Sequence, residues 1–179
     1  MATRTASEFA IRRCTASDAK MLGELAARLF TEAYGPTHPE PELSRYLARS
    51  FSGDKVRDEI TDGDVTMFVA EDETTHPLGY AFLRKTRELP EGVSSYNSFE
   101  VVRFYVEAAA QGRGIGAALM EKCFHESRQR SADTIWLQVW KEAPWAIGFY
   151  QRMGFTAVGS AAFHFGEQIG DDHIMSRPL

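Results

Sequence analysis

Apolar residues recur with two different periods along this chain, and each change of period marks a new element. Phe9–Arg13 alternates and predicts a first strand. From Thr15, with Asp18 three residues on in a near capping-box arrangement, a helix is expected. Leu22, Leu25, Ala26, Leu29 and Phe30 fall on one face of it. Gly35 and Pro36 stop that helix, and Pro39 and Pro41 keep the next segment out of it. Leu43, Tyr46, Leu47 and Phe51 predict a second helix, and Val56–Ile60 a short third one. The aromatic-spotted stretch Thr31–Asp62 leaves two readings open, a wall over a pocket or plain packing.

Val65–Ala70 and Leu78–Arg84 read as two strands of a hairpin around the polar turn Glu71–Pro77. Leu89–Ser94 is a loop, and Phe99–Val106 is a strongly apolar strand. Gly114–Arg130 places Ile115, Leu119, Met120 and Phe124 on one helical stripe. Thr134–Trp140 is rich in β formers. Pro144–Met153 reads as a short helix, with Pro144 at its first turn and Gly154 as its C-cap. Phe155–Phe165 and His173–Ser176 are expected to close the sheet. Without repeats or linkers, the pattern predicts one domain over residues 1–179, with residues 1–8 frayed. The predicted class is α/β (α+β), with a mixed and mostly antiparallel sheet.

Composition narrows the class. The chain has 179 residues, 44% hydrophobic and 25% charged, which is ordinary globular usage. No apolar run is long enough to span a membrane. The segment Met1–Ala10 lacks the apolar core of a secretory signal. The net charge of -5 argues against nucleic acid as a partner and is compatible with a cationic small substrate. Cys14 and Cys123 suggest neither a disulfide framework nor a zinc spacing, so both are expected reduced and the location cytoplasmic.

The most informative segment is Phe104-Tyr105-Val106-Glu107-Ala108-Ala109-Ala110-Gln111-Gly112-Arg113-Gly114-Ile115-Gly116-Ala117. A buried strand ends, a turn follows and a helix begins, with three glycines where it begins. Glycine tolerates unusual backbone angles and lets a ligand touch the main chain. The free N–H groups and dipole of the helix start favour a phosphate. Three ligands compete. A nucleoside-triphosphate loop needs Gly-Lys-Ser or Gly-Lys-Thr, which is absent. A dinucleotide turn could use Gly112, Gly114 and Ala117 with Glu142 as its acidic residue, but too little chain remains downstream for that fold. The third ligand is the diphosphate of coenzyme A.

Gln111-Gly112-Arg113-Gly114-Ile115-Gly116 resembles the Q/R-x-x-G-x-G/A signature of the GNAT acetyltransferases. Ala146-Ile147-Gly148-Phe149-Tyr150-Gln151-Arg152-Met153-Gly154-Phe155 resembles that family's A-I-x-F-Y-x-x-x-G-F motif. The spacing between the two is family-like, and the resemblance runs from about Phe99 to the C-terminus. The closing segment, Phe163 to Gly166 and Asp172 to Met175, resembles the polyamine N-acetyltransferase branch.

The resemblance implies about seven strands with a central splay, flanked by four to five helices, and acetyl-CoA as cosubstrate without a metal. It assigns the diphosphate to Gly112, Gly114, Ile115, Gly116 and the adjoining Ala117, with Gln111 and Arg113 flanking. It assigns the pantetheine arm to the strand Phe104-Tyr105-Val106, and an oxyanion donor to a backbone amide near Val106. Tyr150 stands where the family places the acid that protonates the departing sulfur. A phenol is protonated at neutral pH, which suits that role. Residues 100, 102, 104 and 106 share a face by the period-2 rule, which makes Glu100 a carboxylate at the end of an apolar row and a candidate base. Pairing of Glu100 with Arg103 or another cation is the competing reading. Ala143 stands at the cofactor where the family usually has Asn, and Ala108-Ala109-Ala110 replaces a usual Pro.

The implied activity is acetyl transfer to a primary amine of a small molecule, polyamine or amino-acid-like. A protein N-terminus as acceptor and a weakly catalytic acyl-CoA sensor are the alternatives, and a homodimer is possible. His38, His76, His125, His164 and His173 lack metal-ligand spacing. His164 could line the acceptor pocket or be a half-exposed strand residue. Trp136 and Trp140 share a strand face and, with Trp145, could meet an amine or simply pack.

Overall fold

The computed structural model describes residues 9–37, 40–165 and 168–179. The expectations for residues 1–8, His38, Pro39 and Gly166 lie outside the described residues. In chain order the elements are β1 (Ala10–Arg13), α1 (Ala19–Tyr34), α2 (Glu42–Phe51), α3 (Gly53–Thr61), β2 (Val65–Glu71) and β3 (Pro77–Thr86). There follow β4 (Ser98–Val106), α4 (Ile115–Gln129), β5 (Thr134–Trp140), α5 (Pro144–Arg152), β6 (Thr156–Phe165) and β7 (Gln168–Pro178). The strands form one sheet in the order β1-β2-β3-β4-β5-β7-β6. Every neighbouring pair is antiparallel except β4 and β5, which run parallel.

The sheet is covered on both faces, so its central strands bury both sides. On one face, α4 lays Leu119, Met120 and Phe124 against Phe99, Val101, Ile135 and Leu137. On the other, Leu22, Leu25, Leu29 and Phe30 of α1 pack on Met67, Val69, Tyr80 and Phe82. Strand β2 serves both, Met67 and Val69 pointing one way and Phe68 and Ala70 the other. Each such side chain, fully buried, contributes roughly 1.5–3 kcal/mol of transfer free energy. Arg103 fastens α3 to the sheet through a two-pronged contact with Glu59, at 2.8 and 3.1 Å. Its guanidinium also lies 5.0 Å from the ring centres of Phe51 and Phe82.

Two local features differ from the sequence expectation. Strand β7 covers eleven residues rather than His173–Ser176 alone. Its Gly-Asp-Asp-His run has no apolar alternation, but it is held by pairing with β5 on one side and β6 on the other. The second difference shapes the site. Phe82 pairs with Arg103 while Leu83 pairs with Val101, so Val102 is an extra residue in β4, a β-bulge. The bulge flips the alternation. Phe104 and Val106 pack on the α4 side with Phe99 and Val101, whereas Val102 and Tyr105 pack on the α1 side. Glu100, between Phe99 and Val101, therefore shares a face with Val102 and not with Phe104 or Val106. No Gly or Pro marks the bulge, so a period-2 count through it fails.

Candidate active site

The bulge sits where β4 and β5 part. Their last paired residues are Val101 and Leu137, although β4 continues to Val106 and β5 to Trp140. A cavity of about 1230 Å3 fills the fork and is lined from both faces of the sheet. Among the described residues, no strand pairs with the β5-facing edge of residues 102–106 along this opening. Buried main-chain donors and acceptors are costly without partners, so this edge suits an extended ligand that carries amides.

At one end of the cavity lies the glycine turn. Gly112 and Gly114 have φ of 78° and 84°, and a Cβ added at either would meet nothing within 4 Å. Glycine is thus needed for the backbone angle, while the space above stays clear for a ligand. Gly114 caps α4 without a side-chain acceptor, so the first N–H groups of a fifteen-residue helix face outward unsatisfied by a cap. Helix dipole and donors together favour an anion. Gly116 has a different task. A Cβ there would come within 3.3 Å of the Phe149 ring, so this glycine lets α5 approach α4.

Gln111, Gly112, Gly114, Ile115, Gly116 and Ala117 all line the cavity. The Gln111 amide also donates to the Val106 carbonyl at 3.1 Å, tying the turn to the strand end. Arg113 is exposed and stands outside the cavity wall. The three alanines that replace the usual proline wind into a single 3-10 turn, Ala108–Ala110.

Tyr150 is buried on α5, with ring centres of Phe149, Phe155 and Phe104 at 5.3, 5.9 and 6.3 Å. It is a core aromatic and also part of the cavity wall. Burial pushes its phenol upward, with lesser contributions from Tyr34 and Cys123. Ala143 is the buried N-cap residue of α5, lines the cavity and brings no side-chain cap. Glu142 is exposed and does not line it.

Glu100 is nine-tenths buried and meets Arg84 at 2.6 Å, while Arg103 is engaged by Glu59 instead. Glu100 lines the main cavity and also a polar cleft on the other side, bordered by Asp62, Asp64 and Arg87.

The far end of the cavity uses residues that motif reasoning did not assign. Phe30 and Tyr34 of α1, Tyr46 of α2, Trp140 of β5, Phe165 of β6 and Asp172 of β7 line it. The sequence signals for them are the aromatic spotting of α1 and α2, the place of Trp140 on one strand face with Trp136, and the closing segment that holds Phe165 and Asp172. His164 is exposed and does not line the cavity, and Trp136 instead packs with Val93 and Ile174. Both cysteines are buried, and loss of solvation pushes each thiol up to about 12. Among the described residues, no group of three His, Cys, Asp or Glu is placed to hold a metal, and no helix is long and apolar enough to cross a membrane.

A family model described as Acetyltransferase (GNAT) family matches residues 24–155. An uncharacterized N-acetyltransferase of Lactobacillus delbrueckii subsp. lactis, from the pepI 3′ region, is 26% identical over 87% of this chain and 88% of its own length. An uncharacterized N-acetyltransferase of Mycobacterium tuberculosis is 26% identical over 91% of this chain and 99% of its own. The fold is similar to that of the PaiA N-acetyltransferase of Thermoplasma acidophilum, solved in complex with coenzyme A. The TM-score is 0.76 and the identity 19%, over 96% of this chain and 99% of that one.

Proposed function

This chain belongs to the GNAT acetyltransferase family, and on that premise we propose that it moves an acetyl group from acetyl-CoA to the primary amine of a small cationic molecule. The observation that carries this reading is the fork. Pairing of β4 with β5 ends at Val101 and Leu137, and the gap leads from the bare turn at Gly112 and Gly114 past Tyr150.

The residues fit a coenzyme A moiety. The open positive-φ glycines and the start of α4 match a diphosphate. The unpaired edge of Phe104, Tyr105 and Val106 matches an arm with two amides. That the PaiA protein of similar fold was solved with coenzyme A supports the same ligand here. Gln111 acts by holding the Val106 carbonyl, and Gly116 by admitting Phe149 against Phe104, ring centres 5.6 Å apart. Ala143 contributes only apolar wall. Arg113 reaches the cofactor from outside the wall, as a cation beside the diphosphate.

Acetyl-CoA supplies an activated acyl group on a thiol leaving group. A neutral amine attacks the carbonyl carbon, a C–N bond forms and the C–S bond breaks. Tyr150 gives its proton to the sulfur, and its burial keeps the phenol protonated until then. Main-chain N–H groups on the free edge of β4 receive the developing oxyanion. The proton lost by the amine passes by way of water to Glu100, which opens on a second, polar cleft and so gives the proton an exit. Arg84 holds that carboxylate in position.

The test is thiol release from acetyl-CoA over a panel of amines, with calorimetry for CoA itself. Release that depends on a primary amine supports the reading. CoA binding without turnover on any amine replaces it with an acyl-CoA sensor, and preference for a peptide N-terminus replaces the acceptor.

A further inference from the structure

Among the described residues three carboxylates line the cavity, and they are not alike. Glu32 meets Arg28 at 3.2 Å and Glu100 meets Arg84 at 2.6 Å. Asp172 is 7% exposed and has neither an ion pair nor a hydrogen bond to its carboxylate among the described residues. Its neighbour Asp171 takes the nearby cation, Lys141, at 2.7 Å. A carboxylate this buried is costly unless something cationic meets it.

The surroundings of Asp172 are suited to such a partner. It stands directly opposite Trp140 in the antiparallel pairing of β5 and β7, so both point to the α1 face. Trp140 meets Tyr34 at 6.4 Å between ring centres, and Tyr34 meets Phe30 at 4.8 Å. Phe30 continues to Tyr46 at 4.8 Å and to Phe165 at 6.2 Å. Burial raises the Tyr34 phenol above its ordinary value, and the nearby Asp172 carboxylate adds to that. A wall of aromatic faces with one carboxylate is the chemistry that recognises an alkylammonium ion.

Position then separates two roles. Trp140 lies three residues beyond Leu137, where the fork closes. At 3.3 Å per residue that is about 10 Å along the strand. We propose that Asp172, with the aromatic wall beside it, is a specificity subsite for a second ammonium group of the acceptor, whose reacting amine lies at the fork. The acceptor is then a diamine-like molecule, with its two nitrogens separated by several methylenes that run along the rings. This rests on the acetyltransferase reading and names the substrate class of that same site.

The test compares cadaverine with pentylamine, which differ only in the second nitrogen. Calorimetric titration of the CoA-loaded protein reads the subsite without turnover, and thiol release reads it with turnover. The wild-type protein is expected to prefer cadaverine by about 10-fold or more in both, the size of one modest charge contact. Asp172→Asn is expected to erase the preference through a rise in the KM for cadaverine, with CoA affinity within about twofold. Asp172→Glu is expected to restore part of it. A wild-type protein that acetylates both amines equally overturns the proposal and leaves the acetyltransferase reading standing. An Asp172→Asn variant that loses both amines in equal measure makes Asp172 structural and overturns it as well. Asp172-dependent binding of cadaverine without turnover upholds the subsite and sinks the enzymatic reading alone.

Discussion

The two ends of the cavity are built by different means. At the turn end the wall is main chain: Gly112 and Gly114 bring no side chain, and Arg113 is not part of the lining. At the far end the wall is side chain, drawn from α1, α2, β5, β6 and β7. A site of peptide groups is set by backbone angles and recognises one chemical object. A site of side chains can be re-specified by one substitution without touching the fold. On the proposed reading the contrast divides labour, with a fixed grip for the acyl carrier and a changeable surface for the acceptor.

The contrast is broken most directly at the turn. Gly114→Asp places a carboxylate in the proposed anion site and forces a side chain onto a φ of 84°. CoA affinity is expected to fall by about 100-fold or more, roughly 2.8 kcal/mol. Gly63→Asp, in open space away from the cavity, is the control and is expected to bind CoA as the wild type does. A folded Gly114→Asp protein with unchanged calorimetric affinity would remove the main-chain site.

Next in size is the junction between the two ends, at Tyr150. Tyr150→Phe keeps the ring and its packing on Phe104, Phe149 and Phe155, and removes only the acid. Turnover is expected to fall by about 100-fold, the usual scale of one acid-base group, with CoA affinity within about twofold. Because burial raises this phenol, the acid stays protonated beyond the usual tyrosine range of about 10. Loss of turnover from its ionisation is therefore displaced to higher pH, not lower. Equal turnover by the two proteins would return Tyr150 to the core.

The same contrast decides what could be read from the chain. A main-chain site needs particular residue types in a fixed local order, and Gln111 to Gly116 supplied them within six positions. The helix faces, the β2–β3 hairpin and the place of Tyr150 on a short helix were legible for the same reason, as local patterns. The far end was not, because its residues are remote in sequence and meet only through the fold. The closing segment from Asp172 to Met175 stood out only for its resemblance, with no role for Asp172, and the strand expected there began at His173, whereas β7 takes in Asp172 by pairing it with Trp140 and Ala161. Glu100 shows a subtler loss. Its strand was foreseen, but the extra residue at Val102 changed which face it shares. Hydrophobic counting has no access to a bulge fixed by register with β3.

The smallest expected effect probes what the side-chain end costs the fold. Loss of solvation, followed by the charge of Asp171, raises the Asp172 carboxyl above its ordinary value, against lowering by His173 and Lys141. A carboxyl whose folded pKa exceeds its unfolded one binds protons more readily in the folded protein. Stability from this group therefore falls as pH rises from the unfolded value of 3.8 through the folded one, and stays reduced above it. Asn carries no such burden. Asp172→Asn is expected to be more stable than the wild type at neutral pH by on the order of 1 kcal/mol, read by urea unfolding without ligand. The difference should shrink as the pH falls through the raised folded value and vanish below the ordinary carboxylate range, where the wild-type group is protonated in both states. With CoA and cadaverine present the order should reverse, because a ligand stabilises the form that binds it better. An Asn variant less stable at neutral pH would mean that the carboxylate supports the fold, and the two ends would then differ in composition but not in purpose.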